Sequence, residues 1–397
     1  MAGIAIIGAG ECGIRAAFAA RDAGYEGAIS VIGDEPVPPY ERPPLSKPDE
    51  TGAIEKPITN PEALAEKAIN LQTGISVTQL DRAERKVRLS DGTSMPYEKM
   101  LLATGARPRA LSCPGGENAK VLRTVADART TYRAAASGTR VVIVGAGLIG
   151  LELAALLSAR GAGVTVLEAG PRPLGRNVPR GLVAALANRH REQGVQIICD
   201  ASVVLCAENT VVLDKERIFE ADLIVAAIGV VPSVELAEAA GLSVQNGICV
   251  DDSLVTDDPL IYAAGDCASV KTSGGTYRRY ETWQNARAQG EMAGRNLAGS
   301  DAQFDVPIWF WSDQYDLGRQ GVGNTSGDPS AIRALGNQAQ ILFFLDGQDR
   351  LNGAAGLGPG NTVAKDIKIA QRLIGSEINP ALLSDPSHNM KKLLRAA

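Results

Sequence analysis

Two short clusters of glycine have the residue type and spacing needed to hold the phosphates of a dinucleotide. Both share the spacing G-x-G-x-x-G: Gly8, Gly10 and Gly13 in the first, and Gly145, Gly147 and Gly150 in the second. The first glycine of such a cluster permits a tight turn, the second lets a pyrophosphate approach the backbone, and the third lets helix and strand pack closely. The N–H groups at the helix start then face the phosphates. The sequence therefore predicts two nucleotide sites.

A carboxylate follows each cluster at about the distance expected for a residue that binds the ribose. The first is Asp34, with Glu35 beside it, and the second is Glu168. A carboxylate accepts hydrogen bonds from both ribose hydroxyls and repels a 2′-phosphate, so Glu168 favours NADH over NADPH. Arg172 and Arg176 are close enough in sequence to leave NADPH open.

The elements that position these residues repeat along the chain. An apolar run of strand length precedes each cluster, Ile4 to Ile7 and Arg140 to Val144, and a helical pattern follows it, Ile14 to Ala23 and Leu148 to about Arg160. Each unit is closed by a further buried strand. These two strands end at Gly105 and Gly229. The pattern predicts an α/β fold containing two βαβ nucleotide units.

The segments after these units differ in character. The proline-rich segment 36–48 should be stiff because proline fixes φ, and it carries Arg42 and Lys47 to defined places that favour a cofactor-lining role. A later strand delivers Gly265 and Asp266 into a tight turn. Beyond residue 299 the texture changes to an α+β pattern, with aromatic residues at 309–311 and an expected hairpin near 346–350.

Composition limits the classes of function. A chain of 397 residues is expected to form two or three domains, and a net charge of −5 gives no basic field for nucleic acid. The six cysteines form no C-x-x-C pair, and two histidines make a metal site unexpected. His190 and His388 fall in no motif and are expected at the surface. No apolar run is long enough for a membrane span, and the cysteine usage fits a reducing cytoplasm.

Taken in order, these motifs resemble the FAD-dependent pyridine-nucleotide oxidoreductase superfamily, and within it the ferredoxin reductases of bacterial oxygenase systems. The resemblance rests on both glycine clusters and on three further segments: Arg-Pro-Pro-Leu-Ser-Lys at 42–47, Gly-Asp-Cys-Ala at 265–268 and Trp-Phe-Trp-Ser-Asp-Gln-Tyr at 309–315. It implies a glutathione-reductase-like architecture with two Rossmann-like domains and a C-terminal α+β domain. The implied domains are 1–107 with 233–302 for FAD, 108–232 for NAD, and 303–397.

The resemblance also implies which residues bind the cofactors. Those for FAD would be Gly8, Gly10, Cys12, Gly13, Asp34, Arg42, Lys47, Val77, Arg123, Gly265, Asp266 and Trp283. Those for NADH would be Gly145, Gly147, Leu148, Ile149, Gly150, Glu168, Arg176 and Gly229. Lys47 and Glu152 would pair near the reacting atoms of the flavin as the catalytic residues. Cys12 departs from the small residue, such as alanine, that is usual at its position, which raises the question of a reactive thiol.

The absence of a redox cysteine pair separates this chain from the disulfide reductases of the superfamily. The resemblance therefore implies that NADH reduces FAD by hydride transfer, and that single electrons leave for a [2Fe-2S] ferredoxin serving a cytochrome P450 or a Rieske oxygenase. Alternatives are an NADH oxidase, a monodehydroascorbate- or quinone-type reductase, and a redox-gated binding protein of the apoptosis-inducing-factor type. A basic patch for an acidic ferredoxin is expected among seven residues: Arg278, Arg279, Arg287, Arg295, Lys391, Lys392 and Arg395.

Overall fold

A computed structural model describes residues 2–48, 52–175, 178–272 and 274–395. The chain forms two compact units, each assembled from separate stretches of sequence. The first unit comprises Met1–Arg42, Glu55–Arg107 and Val230–Ile308, and the second comprises Pro43–Ile54, Pro108–Gly229 and Trp309–Ala397.

The first unit is built on a five-stranded parallel sheet. Its strands, in spatial order, are Ile261–Ala263, Lys99–Leu102, Ile4–Ile7, Ile29–Gly33 and Ile69–Thr73. The Ile4–Ile7 strand is buried along its whole length between parallel neighbours on both sides. A strand buried on both faces reads as a continuous apolar run, which is why the sequence signal here is strong.

Two helices of the first unit pack closely on each other beside this sheet. They are Glu11–Asp22, which follows the first glycine cluster, and Trp283–Leu297, which returns much later in the chain. Gly290 and Gly294 permit the close approach, because a Cβ at either position would lie 2.3 Å from the carbonyl oxygen of Cys12 or 2.2 Å from that of Ala16. The late helix is thereby joined to the helix of the first nucleotide motif.

The remaining elements of the first unit are short. They are the helices Pro61–Glu66 and Glu235–Ala239 and the strands Val77–Asp81, Lys86–Leu89, Ser94–Pro96, Ala106–Pro108, Val230–Pro232, Ile248–Val250, Ala268–Lys271 and Tyr277–Arg278.

The second unit contains another five-stranded parallel sheet, ordered Gln196–Ile198, Gly163–Leu167, Arg140–Val144, Leu223–Ala226 and Lys120–Val121. Its helices are Val125–Ala134, Leu148–Ala159 and Arg180–Glu192, and a small antiparallel sheet is formed by Val203–Ala207, Thr210–Leu213 and Ile218–Glu220. The two parallel sheets repeat the same arrangement of strand, glycine turn, helix and strand.

The C-terminal part of the second unit is an antiparallel sheet. Its strands, in spatial order, are Trp309–Gln314, Leu317–Gly323, Leu351–Pro359, Ala339–Leu345 and Ala331–Gly336, followed by the helices Ala364–Leu373, Pro380–Ser384 and Met390–Leu393. Leu342, Phe344, Ala355 and Leu357 of this sheet share one apolar core with residues of the parallel sheet and its helices.

The predicted fold class, α/β with two Rossmann-like sheets and a C-terminal α+β region, is confirmed. The sequence patterns placed the ends of the strands and helices at both glycine clusters within three residues, and the hairpin expected near 346–350 joins Ala339–Leu345 to Leu351–Pro359. They missed the strand Ile69–Thr73, the helix Val125–Ala134 and the other three C-terminal strands. The helix Val125–Ala134 begins with a capping box between Thr124 and Asp127, which is a start signal present in the local sequence. Within the described part of the chain, no helix is long and apolar enough to cross a membrane.

Candidate nucleotide and redox site

The three glycines of the first cluster differ in what surrounds them. Gly8 has a φ of +114°, and a Cβ there would lie 2.1 Å from the carbonyl oxygen of Ala103. A Cβ at Gly13 would lie 1.9 Å from the carbonyl oxygen of Gly8. Both positions therefore require glycine for the chain to fold this turn at all. Gly10 is different, because its φ is −77° and a Cβ would meet nothing within 4 Å.

The second cluster reproduces this division. Gly145 has a φ of +109° and a Cβ there would lie 2.5 Å from the carbonyl oxygen of Ala227, while at Gly150 it would lie 2.1 Å from that of Gly145. Gly147 has a φ of −77° and open space at its Cβ position. Leu148 begins the helix that follows, and Ile149 beside it is 45% exposed.

Gly10 and Gly147 provide the test of whether a phosphate fits here. Neither the backbone conformation nor any neighbouring atom of the chain requires glycine at these two positions. Both are the N-caps of buried helices, where no side chain satisfies the first N–H groups. An anion that approaches the backbone closely would use both the open space and these donors. The residues present therefore fit the pyrophosphate of a dinucleotide at each turn.

The returning turn at residues 265–267 closes against the first cluster. Gly265 has a φ of +82°, a Cβ there would lie 3.2 Å from that of Cys12, and its N–H donates to Gln289 Oε1 at 2.7 Å. Cys12 also lies under Gly290 of the late helix. A small side chain is needed where three backbone segments meet. Burial raises the pKa of the Cys12 thiol well above its ordinary value, so this position is built for packing and not for thiolate chemistry.

The two carboxylates that follow the strand Ile29–Gly33 of the first unit differ in burial and in their hydrogen bonds. Asp34 is exposed, whereas the neighbouring Glu35 is half-buried. Glu35 Oε2 accepts from the hydroxyl of Tyr40 at 2.5 Å, and its Oε1 accepts from the guanidinium of Arg42 at 2.8 Å. Arg42 is thus held by Glu35, a residue that the sequence prediction named only as the neighbour of Asp34.

The other residues expected at FAD are placed as follows. Asp266 is half-buried in the returning turn and its carbonyl oxygen accepts from Arg279 at 3.1 Å. Trp283 is the first residue of the late helix, behind the N-cap Thr282. Val77 begins a strand at the edge of the first unit's core. Arg123 belongs to the second unit and precedes Thr124, the N-cap of the helix Val125–Ala134.

Glu168 is oriented by the second glycine turn itself. Its Oε2 accepts from the N–H of Ala146 at 2.9 Å and its Oε1 from the N–H of Gly170 at 2.8 Å. Arg172 donates to the carbonyl oxygens of Val178 and Gly175, at 3.1 and 3.0 Å, so its guanidinium is committed to the local loop. Arg176 lies outside the described residues. Gly229, with a φ of +97°, accepts from the N–H of Arg109 at 2.9 Å at the end of the adjoining strand.

Lys47 and Glu152 are brought together within the second unit, although they are far apart in sequence. Lys47 Nζ lies 3.4 Å from Glu152 Oε1 and 3.5 Å from Asp313 Oδ2. It also lies 4.5 Å from the centre of the Trp311 ring, which stacks on Trp309 with 5.0 Å between ring centres. A cation held by two carboxylates and an aromatic face has a defined position.

Glu152 is the more deeply buried partner, with 6% of its surface exposed. Three groups donate to it: Lys47, the Ser46 hydroxyl at 2.5 Å from Oε2, and the Ser312 hydroxyl at 2.6 Å from Oε1. The segment that carries Ser46 and Lys47 is itself tied down by Tyr132, whose hydroxyl donates to the carbonyl oxygen of Leu45. Burial raises the pKa of that tyrosine to about 12. Sequence reasoning missed Ser312 and Tyr132.

The surface expectation for His190 is wrong, since this side chain has no exposed area. Its position follows from the helix Arg180–Glu192, where Leu182, Leu186 and His190 recur every fourth residue on the buried face. That spacing was available in the sequence. Arg279 is also no surface cation, because its side chain is 7% exposed and bonded to Glu281. His388 is half-buried.

The comparisons with known proteins agree with this geometry. Residues 2–290 match the family model described as pyridine nucleotide-disulphide oxidoreductase, and residues 309–394 match the model described as reductase C-terminal. One similar protein is the anthranilate 1,2-dioxygenase system ferredoxin–NAD(+) reductase component of Burkholderia cepacia, 37% identical over 98% of both chains.

Two solved structures are similar along nearly the whole length. The ferredoxin reductase from Rhodopseudomonas palustris has a TM-score of 0.92 and 33% identity, covering 99% of this chain and 100% of the other. The reductase in a covalent putidaredoxin reductase–putidaredoxin complex has a TM-score of 0.90 and 33% identity, covering 100% of this chain and 99% of the other. The fold, the geometry of the site and the comparisons together place the protein in the class of flavin-dependent pyridine-nucleotide reductases. The chain belongs to the pyridine nucleotide-disulphide oxidoreductase family.

Proposed function

We propose that this protein is an NADH-dependent, FAD-containing ferredoxin reductase of an oxygenase system. The observation that carries the proposal is the pair of glycine turns, each with one glycine, Gly10 or Gly147, that only a close-lying ligand requires. One turn fits FAD and the other NADH. When bound, FAD accepts hydride from NADH and releases electrons singly to a one-electron carrier.

The chain's own residues would bind and orient these groups. Gly8, Gly10, Cys12 and Gly13 line the phosphate end of FAD, with Gly265 and Asp266 closing that turn and Asp34 or Glu35 at the ribose. Gly145, Gly147 and Gly150 receive the NADH pyrophosphate on the N-terminus of Leu148–Ala159. Arg42, Val77, Arg123, Trp283, Ile149, Arg176 and Gly229 remain proposed contacts of the two cofactors.

Glu168 supports the choice of NADH. Both of its oxygens keep a free lone pair beyond the bonds to Ala146 and Gly170, and these can accept from two ribose hydroxyls. A 2′-phosphate would instead meet a carboxylate, while Arg172 is already bonded to backbone carbonyls. The balance of charge at this position therefore disfavours NADPH.

Lys47 and Glu152 are the proposed catalytic residues at the reacting end of the nicotinamide. The ion pair between Lys47 and Glu152 balances their charges and fixes the position of both side chains. Such an arrangement suits hydride transfer, because this reaction depends more on alignment of the two rings than on a general base. The domain boundaries 1–107 with 233–302, 108–232 and 303–397 are part of this proposal, as is a cytoplasmic location, which the six free cysteines favour.

The proposed acceptor is an acidic [2Fe-2S] ferredoxin that delivers electrons to a P450 or Rieske oxygenase. Family members that reduce disulfides need a reactive sulfur. Burial raises the pKa of five of the thiols, those of Cys12, Cys199, Cys206, Cys249 and Cys267. The exposed cations Arg278, Arg295, Lys391, Lys392 and Arg395 are available for steering the partner.

The test is NADH oxidation by the FAD-loaded protein with putidaredoxin and other bacterial [2Fe-2S] ferredoxins, with and without oxygen. We expect added ferredoxin to accelerate NADH oxidation under anaerobic conditions and to become reduced in step with it. Glu192→Gln, which removes an exposed carboxylate of the helix Arg180–Glu192, serves as the unaffected control. If no ferredoxin changes turnover and oxygen consumes all the electrons, the proposed function is wrong.

A further inference from the structure

A continuous row of buried polar side chains leads through the second unit to Glu152. Ser312 and Gln314 are each 1% exposed, and His190 is fully buried. Ser312 and Gln314 are two residues apart on the strand Trp309–Gln314, so they point to the same face of the sheet. Buried polar groups without water must find their partners among themselves.

Each neighbouring pair in this row is within hydrogen-bonding distance. Ser312 Oγ lies 2.6 Å from Glu152 Oε1, and Gln314 Nε2 lies 3.1 Å from Ser312 Oγ. His190 Nε2 lies 2.9 Å from Gln314 Oε1, and the Tyr315 hydroxyl lies 3.4 Å from His190 Nδ1. We call Glu152, Ser312, Gln314 and His190 the buried polar chain.

The direction of every bond in the buried polar chain follows from Glu152. An ionised carboxylate only accepts, so the Ser312 hydroxyl must donate to it. Ser312 Oγ then has only lone pairs left, so Gln314 presents its NH₂ group there and turns its oxygen towards His190. His190 must therefore carry its proton on Nε2, which leaves Nδ1 to accept from Tyr315.

A histidine is not needed at this place for packing. Its helix neighbours on the same face, Leu182 and Leu186, are leucines, and an apolar side chain there would require no partner. Burial lowers the pKa of His190, so the ring is neutral near pH 7 and can hold one tautomer. The nearby charges are already paired: Arg189 with Asp316 and Glu192, and Lys47 with Asp313.

We propose that His190, Gln314 and Ser312 are positioning residues for Glu152, and that their one-way hydrogen bonds hold its carboxylate turned towards Lys47. The proposal deepens the proposed function, on which it rests for the catalytic role of the Lys47–Glu152 pair. Ser312 acts directly on the carboxylate. Gln314 and His190 act through it, by keeping the serine hydroxyl oriented as a donor.

The first experiment reads the tautomer of His190 by ¹⁵N NMR of the histidine-labelled, FAD-loaded protein. The chain has two histidines, so His388→Gln assigns the signals. We expect the Nε2–H tautomer in the wild type. In Ser312→Ala the Gln314 amide is no longer oriented by the serine hydroxyl and can turn over, so we expect a mixture of the two His190 tautomers.

The second experiment measures the rate of FAD reduction by NADH in three variants. Ser312→Ala removes the bond to the Glu152 carboxylate and should slow reduction about tenfold. Gln314→Met removes two neutral bonds, of which only the one to Ser312 bears on Glu152, and should slow it about threefold. Gln340→Met replaces a half-buried glutamine of the same sheet that bonds only the carbonyl oxygen of Gly181 among the described groups, and it should leave the rate unchanged.

The outcomes separate this proposal from the proposed function. A wild-type Nδ1–H tautomer, or an Nε2–H tautomer that persists unmixed in Ser312→Ala, would overturn the positioning role. Equal rates in Ser312→Ala, Gln314→Met and Gln340→Met would overturn it as well. If NADH does not reduce the FAD of the wild type, the proposed function is wrong, while the tautomer measurement still decides the orientation of the buried polar chain.

Discussion

Replacing Gly147 with alanine adds one methyl group at a point where the chain has open space. A Cβ at this position would meet nothing within 4 Å. The φ of −77° and ψ of −176° are extended backbone that alanine adopts without strain. We therefore expect the protein to fold normally in Gly147→Ala, and only a ligand that approaches the turn to meet the added methyl group.

The structure allows both effects to be sized. As an N-cap, alanine is worse than glycine by about 0.5 to 1 kcal/mol. Alanine also reduces the conformational entropy of the unfolded chain relative to glycine, which stabilises the folded protein by about 0.4 to 1 kcal/mol. The two contributions nearly cancel, so the free energy of unfolding should change by less than about 0.5 kcal/mol. A displaced pyrophosphate that loses two charge-assisted hydrogen bonds loses about 3 kcal/mol, which is more than 100-fold in affinity.

The assay combines thermal unfolding of the FAD-loaded protein with stopped-flow reduction at increasing NADH concentration. We expect an unchanged melting temperature, unchanged FAD content and a rise of at least about 100-fold in the NADH concentration that gives half-maximal reduction. Gly163→Ala is the matched control, because a Cβ there has only the carbonyl oxygen of Thr139, at 4.0 Å, as a neighbour, and Gly163 lies at the start of the next strand.

Gly150→Ala provides the opposite contrast. Its Cβ would lie 2.1 Å from the carbonyl oxygen of Gly145, so this variant should lose stability before any ligand is considered. Two results would refute the reasoning. One is tight NADH binding in Gly147→Ala, and the other is a melting temperature for Gly147→Ala as low as that of Gly150→Ala.

Three further predictions concern single side chains. Glu168→Gln should lower the ratio of kcat/KM for NADH over NADPH at least tenfold, since one charge-assisted bond to the ribose is lost; an unchanged ratio would contradict the assigned role. The unfolded chain protonates His190 below about pH 6.5, whereas burial lowers the pKa of the ring in the folded protein. The free energy of unfolding should therefore fall as the pH drops below that value. Denaturant titrations at about pH 7.5 and about pH 5.5 should show a smaller fall in His190→Gln than in the wild type. The thiol of Cys12 should not react with Ellman's reagent until the protein unfolds, and Cys12→Ala should keep its activity; rapid labelling of Cys12 in the native protein would speak against its packing role.

The local motifs were legible in the sequence because each depends on residues close together along the chain. A strand buried on both faces must be apolar throughout, and a tight turn with positive φ must contain glycine, so Ile4 to Gly13 and Arg140 to Gly150 carried their own signals. The class of fold and the two nucleotide turns follow from such short-range requirements. The C-terminal sheet was largely missed, because its strands contain many glycines, as in Leu317–Gly323 and Leu351–Pro359, and lack a clean alternation of polar and apolar residues.

Other features depended on contacts between distant segments. Lys47, Glu152 and Ser312 lie more than 100 residues from one another in sequence, and only folding of the second unit brings them together. The same is true of Cys12, which packs under Gly265 and Gly290. The sequence by itself determined which chemistry the protein is equipped for, since nucleotide binding is encoded in local turns. Only the tertiary structure decided that His190 is buried and joined to Glu152, because burial and hydrogen-bond partners are properties of the packed chain.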